Sequence, residues 1–176
     1  GFIGLIAVQI IILIYPKCEI IIVDRNKYKL DIAAKYGVIS QWVSDSKALE
    51  NFVSENENRF DNVVELIGSP KTFSAALQIA SQMACVVWGG NITGNLKLEK
   101  SQVSSILRKE LTILGSWNST YKGANQCDWE KTLNLISQGL HPSELVTEKI
   151  NLEGVDKTLS KLYEHKNRIK EYKAIK

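Results

Sequence analysis

Residues 1–24 read GFIGLIAVQIIILIYPKCEIIIVD. Glycines at positions 1 and 4 open an apolar run, Pro16 closes it, and EIIIVD (19–24) ends in an acid. Leu5 to Tyr15 predicts a buried helix, stopped at Pro16 because a proline ring carries no N–H and clashes with the preceding turn. Glu19 to Asp24 predicts a strand apolar on both faces, and such strands belong to parallel sheets covered by helices. A membrane span does not fit. Gln9 and then Pro16-Lys17-Cys18-Glu19 cut the apolar segment into pieces well short of the roughly 20 residues a span needs. The stretch also lacks the basic start of a signal peptide.

The alternation continues downstream. Asn26 to Tyr36 places Leu30, Ala33 and Ala34 at helical spacing, with Gly37 as the stop. Asp45 is a candidate N-cap for a helix reaching about Glu57. The strand NVVELIG (62–68), a helix over Phe73 to Gln82 and the strand ACVVWGG (84–90) follow. A short helix around Ser101 to Leu107 leads to ELTILG (110–115), and Asp128 to Gln138 predicts another helix. Strands separated by helices at this rhythm indicate a doubly wound α/β sheet of Rossmann type. Toward the end, LVTEKINLE (145–153) predicts a short strand and turn, Val155 to Lys166 an amphipathic helix, and EYKAI (171–175) a closing strand. At 176 residues the expectation is one domain over 1–176.

Composition narrows the function classes. Apolar residues make up 44% and charged residues 23%, which describes a globular chain. A net charge of +3 is too small to indicate nucleic acid. The basic residues between Lys161 and Lys176 are interrupted by Glu164 and Glu171, as on a solvated helix face. Cys18, Cys85 and Cys127 lie far apart with no Cys-x-x-Cys pair, so free thiols in a reducing cytoplasm are expected. His141 and His165 have no carboxylate or thiol at ligand spacing, and no metal site is expected among these residues.

The glycines and the aspartate carry the chemistry. In dinucleotide-binding folds, Gly-x-Gly-x-x-Gly opens the first helix, and an acid about twenty residues on ends the second strand. Gly1 and Gly4 occupy the last two glycine positions of that pattern. The free N–H groups of Phe2 and Ile3 face a pyrophosphate, because the first turn of a helix has unsatisfied donors and a positive dipole end. Asp24 follows twenty residues after Gly4. Its carboxylate suits the adenosine ribose hydroxyls and repels a 2′-phosphate, which favours NAD over NADP, while the neighbouring Arg25 leaves NADP open. Gly68, Gly89 and Gly115 end three further strands, agreeing with a cleft along one sheet edge. The first glycine and the first strand of the pattern are not present. In the strand order 3-2-1-4-5-6 that strand is central, so the expectation is a gap in the sheet and a natural protein longer at its N-terminus.

On GFIGLIAVQ, VDRNKYKLDIAAKYG, NVVELIGSP, VVWGG and ILRKELTILGSWNS, with DWEKTLNLI downstream, the chain resembles the zinc-containing medium-chain alcohol and polyol dehydrogenases. ILRKELTILGSWNS followed by Trp129 is most similar to their galactitol 1-phosphate 5-dehydrogenase and sorbitol dehydrogenase branch. The resemblance covers essentially the whole chain, and it implies an upstream catalytic domain carrying zinc, which has no counterpart here. It also implies reversible hydride transfer between a polyol or polyol phosphate and NAD, and a homodimer or homotetramer. The contacts it implies are the backbone of Phe2 and Ile3 on the pyrophosphate and Asp24 with Lys29 on the ribose. Ile67 and Gly68 would line the cleft, with Trp88, Gly89, Leu114 and Gly115 near the nicotinamide. Lys173 matches a basic position reaching the phosphates, although Tyr172 stands where the family commonly has glycine. Trp88 is expected mainly to pack, and Trp117 and Asn118 to sit near the nicotinamide or in a subunit contact. No catalytic or metal-binding residue is assigned within the chain. A non-catalytic module that senses NAD or a related nucleotide is the competing reading.

Overall fold

The computed structural model describes the backbone of residues 1–120 and 127–174, with side chains up to residue 164. The chain forms two compact units, Gly1–His141 and Pro142–Lys176.

The first unit alternates helices and parallel strands: α1 (Phe2–Ile14), β1 (Ile21–Asp24), α2 (Lys27–Ala34), β2 (Ile39–Trp42), α3 (Ser46–Glu55) and β3 (Phe60–Glu65). It continues with α4 (Pro70–Ile79), β4 (Ala80–Trp88), α5 (Lys100–Arg108), β5 (Thr112–Gly115) and α6 (Asp128–Ser137). Helix starts follow local chemistry. The Asn26 side chain accepts from Lys29 N, Asp45 Oδ1 accepts from Ala48 N at 2.9 Å, and Ser69 and Thr72 form a reciprocal capping box with Pro70 at the first helical position. Gly37 ends the turn after α2 at φ 75°, a conformation that costs a glycine little.

The strands form two parallel sheets, β1-β2 and β3-β4-β5, and the break falls between β1 and β3. This is the Rossmann-type α/β arrangement, and the gap lies where the sequence placed it. Val64 in β3 is 43% exposed although it belongs to a strand of the kind normally buried on both faces. At the N-terminal ends of the two sheets, Arg59 Nη2 meets Glu19 Oε1 at 3.1 Å. Ala76, Ala80, Ala84 and Val86 form a core cluster, with Val63, Leu111 and Ile113 packed on it. Above it, the Lys109 ammonium donates to the carbonyls of Leu77, Gln78 and Ala80 at 3.1, 3.1 and 2.9 Å, satisfying the C-terminal end of α4.

Gln9, which broke the apolar run in the sequence, is buried and paired. Its Nε2 donates to Tyr36 Oη at 2.7 Å and to His141 O at 3.4 Å, while its Oε1 accepts from His141 N at 3.2 Å. A polar side chain thereby ties α1 to the end of α2 and to the segment after α6. No helix among the described residues is long and apolar enough to cross a membrane.

Three sequence expectations need correction. The strand β2 (VISQW region) was not foreseen; it pairs in parallel with β1, from Ile21 opposite Ile39 to Asp24 opposite Trp42. In the second unit, the expected strand in 145–153 is absent, and two 3₁₀ turns, Pro142–Leu145 and Leu152–Gly154, stand there instead. The expected closing strand is also absent, because α7 runs from Val155 to Ala174. Lys173 therefore lies in a helix, and its side chain, like Ile175, falls outside the described residues.

Candidate functional site

The C-terminal strand ends of the first unit gather most of the residues singled out from the sequence. At the tip of β1, Asp24 Oδ1 accepts from Asn26 N at 2.9 Å, and Oδ2 lies 3.2 Å from the α-amino group of Gly1. The start of α1 and the acidic end of β1 are thus neighbours. Burial pushes the Asp24 carboxyl up, but the Asn26 N–H, the Gly1 ammonium and the Lys29 charge outweigh it and hold the group below the ordinary carboxylate range. Asp24 is therefore an anion at neutral pH, with acceptor capacity for ribose hydroxyls. Arg25 and Lys29 flank it from the turn and from α2. Phe2 and Ile3, at the free N-terminal turn of α1, are exposed, as is Ile67 beyond β3.

The glycines divide into two kinds. Gly4, expected to permit close helix-strand packing, has room to spare: a Cβ there would meet Leu66 Cδ1 at 3.9 Å, an ordinary contact. Gly1 and Gly115 likewise face open space. The closest backbone approach lies elsewhere. Gly68 has φ 71°, and a Cβ on it would overlap the Asn91 backbone. A Cβ on Gly90 would overlap Gly68 N and stand 2.6 Å from Glu65 Oε2. Gly89 faces the Leu66 side chain at 2.9 Å.

Glu65, the last residue of β3, organises this crossing. It is 4% exposed, and its Oε1 accepts from Ile67 N at 2.9 Å, Gly68 N at 2.9 Å and Thr72 Oγ1 at 2.8 Å. Its Oε2 is buried with no hydrogen-bond partner among the described residues. From the other side, Gly89 N and Gly90 N donate to the Glu65 carbonyl at 2.9 and 3.0 Å. One residue therefore fixes the loop after β3, the start of α4 and the exit of β4.

Next to it opens a cavity of about 230 Å³ lined by Trp88, Gly89, Gly90, Asn91, Gly115, Ser116 and Trp117. Trp88 both packs and lines. Its ring lies 4.7 Å from Phe73 at 53°, and its Nε1–H donates to Gly90 O at 2.6 Å. Trp117 is 75% exposed at the rim, and Leu114 is half exposed on β5. Gly90, Asn91 and Ser116 were not singled out from the sequence, and neither was Glu65. Its signal was present all the same: a lone carboxylate inside an apolar strand, NVVELIG.

The sequence matches the zinc-binding dehydrogenase family over residues 3–138. The chain belongs to that family. Among curated relatives, galactitol 1-phosphate 5-dehydrogenase of Escherichia coli K12 is 29% identical over 140 residues, covering 78% of this chain and 40% of the relative. An L-threonine 3-dehydrogenase of Vibrio cholerae is 27% identical over 141 residues, covering 79% and 39%. This family member thus spans about two fifths of the length of the curated relatives it matches. Among solved structures, galactitol-1-phosphate dehydrogenase from Escherichia coli superposes with a TM-score of 0.65 at 26% identity, over 80% of this chain and 42% of that one. An Escherichia coli CFT073 alcohol dehydrogenase complexed with NADH shares the fold at TM-score 0.75 and 24% identity, over 93% and 46%.

The family's zinc does not fit the described residues, since no group of three or more His, Cys, Asp or Glu side chains among them could hold a metal ion. Cys18 is exposed, Cys85 half-buried and Cys127 buried, each a free thiol. A dinucleotide does fit. The first turn of α1 and the Asp24 carboxylate lie at the C-terminal strand end of one parallel sheet, and the crossed glycines and the cavity beside Trp88 at the C-terminal strand ends of the other; the C-terminal ends of strands are where open α/β sheets take ligands.

Proposed function

We propose that this chain is the cofactor-binding portion of a zinc-dependent, NAD-linked dehydrogenase that oxidises a sugar alcohol or sugar alcohol phosphate to the keto sugar. The observation that carries the reading is the ionised Asp24 carboxylate at the tip of β1, beside the start of α1, together with the cavity beside Trp88 at the strand ends of the second sheet. When bound, NAD supplies the hydride acceptor. The chain's residues supply its seat. The N–H groups of Phe2 and Ile3, beyond Gly1 and ahead of Gly4, bind the pyrophosphate. Asp24 accepts from the ribose hydroxyls, with Lys29 and Arg25 beside it, and Ile67 and Gly68 line the adenosine side. Trp88, Gly89, Leu114 and Gly115 bound the nicotinamide side and keep water from it. Lys173 is a proposed phosphate contact. No proton-transfer step is assigned to these residues, and the zinc belongs to residues outside those described.

The substrate class rests on the likeness to galactitol 1-phosphate 5-dehydrogenase, with a cytoplasmic homo-oligomer as the accompanying expectation. The test is calorimetric titration of the protein with NADH and with NADPH, followed by assays of NADH formation from galactitol 1-phosphate, galactitol and sorbitol. Tighter NADH than NADPH binding and turnover of one of these polyols are expected. Failure to bind either dinucleotide refutes the reading. NADH binding without turnover of any polyol, in protein shown to carry zinc, favours a nucleotide-sensing module instead.

A further inference from the structure

The adenosine side contains a feature that the glycine and aspartate pattern does not include. Trp42 ends β2 directly opposite Asp24 in the parallel register, and adjacent strands stand only about 4.8 Å apart. Its indole is held at the edge, where Nε1–H donates to Arg25 O at 3.1 Å. Its face is occupied as well, because Lys27 Nζ sits 3.9 Å from the ring centroid. That lies well inside the roughly 6 Å over which a ring quadrupole attracts an ammonium.

The location gives this pair a consequence. Arg25, Lys27 and Lys29 all follow Asp24 within five residues. Free cations at this point stabilise the dianionic 2′-phosphate that distinguishes NADP from NAD, and so oppose the Asp24 carboxylate. Lys27, the first residue of α2, is drawn onto Trp42. We propose that Trp42 is a specificity-determining positioning residue, which withholds the Lys27 ammonium from the ribose 2′ position and keeps the site selective for the dinucleotide without a 2′-phosphate. The inference rests on the dinucleotide reading above and deepens it. Trp42 is 45% exposed, so its replacement leaves the core intact.

The experiment is calorimetric titration of the full protein and its variants with NADH and with NADPH, read as the ratio of the two dissociation constants. Trp42→Leu frees Lys27, and the preference for NADH falls about three- to fivefold, the range of one solvent-exposed ion pair. Adding Lys27→Met to Trp42→Leu restores the original ratio. Lys27→Met alone, with Trp42 in place, leaves the ratio as in the wild type. An unchanged ratio in Trp42→Leu overturns the inference, as does a shift that persists in the double variant. A ratio that moves toward NADH in Lys27→Met alone also overturns it, whatever the fate of Trp42→Leu, because Lys27 would then already reach the phosphate. A structural role for Trp42 weakens both ligands together and leaves the ratio still. A wild-type protein that bound neither dinucleotide would instead defeat the reading on which the inference rests.

Discussion

Replacing Glu65 by leucine removes an acceptor and leaves the volume nearly unchanged. Three donors then lose their partner: Ile67 N, Gly68 N and Thr72 Oγ1. The hydroxyl has an alternative, because Thr72 Oγ1 also donates to Ser69 O at 3.1 Å. The two backbone N–H groups have none among the described residues, and an orphaned buried donor costs about 1–3 kcal/mol. Gly68 N is buried and takes the upper part of that range, whereas Ile67 N is half-buried and takes the lower. Against this stands the relief of burying Oε2 without a partner. The net loss is then about 2–4 kcal/mol, a large share of the stability of an ordinary domain. With a urea m-value of about 2 kcal/mol per molar, the unfolding midpoint falls by roughly 1–2 M. Glu65→Gln keeps one oxygen in place for the same donors and loses less. Urea unfolding followed by circular dichroism measures both. A midpoint shift under about 0.5 M for the leucine variant, or equal losses for leucine and glutamine, would refute the assignment of Glu65 as the acceptor that holds this crossing.

Two further substitutions separate the glycines by their surroundings. Gly90→Ala sets a methyl against Gly68 N and Glu65 Oε2, so a loss of about 1–3 kcal/mol and weakened NADH binding are expected in melting and titration experiments. Gly4→Ala meets only ordinary contact at 3.9 Å, and inside α1 it raises stability by about 0.5–1 kcal/mol, read as a higher melting temperature. Asp45 gives a pH signature. The Ala48 N–H and the Ser44 hydroxyl hold its carboxyl below the ordinary range. Its contribution is therefore complete above the ordinary carboxylate pKa of about 4 and disappears as pH falls through the depressed value. Asp45→Ala accordingly lowers the melting temperature at neutral pH, and the gap to wild type closes as the carboxyl is protonated in acid; a gap of constant size would exclude the carboxylate as its source.

The sequence made the alternating helices and strands legible wherever burial imposed a pattern. EIIIVD reads as a two-faced apolar strand because β1 lies in a parallel sheet, and Asn26 and Asp45 mark helix starts by chemistry that acts within one turn; the start of α4 at Pro70 was placed three residues late, at Phe73. VISQW gave no such signal. Three of the four residues of β2 are exposed, so neither alternation nor an apolar run was required of them. EYKAI carries residues compatible with a strand, yet no breaker separates it from the helix that starts at Val155, and propagating a helix is easier than starting a new element. The site shows the same division. Asp24 could be found because its distance from Gly4 along the chain reflects the fold, whereas the crossing of Gly68 and Gly90 depends on two loops meeting in space. The expected tight packing at Gly4 was transferred from a pattern, and here the tight spot belongs to Gly90.

The break between β1 and β3 separates the two ends of the proposed cofactor seat. Asp24 and Trp42 stand on one plate, Trp88 and Gly115 on the other, and among the described residues no strand pairing crosses between them. The Arg59–Glu19 ion pair links the plates at the end away from the cleft. An extended dinucleotide laid along that edge would touch both plates at once. It would join the ribose carboxylate on one to the tryptophan-lined cavity on the other, so a substitution at either end would be felt in the binding of the whole dinucleotide.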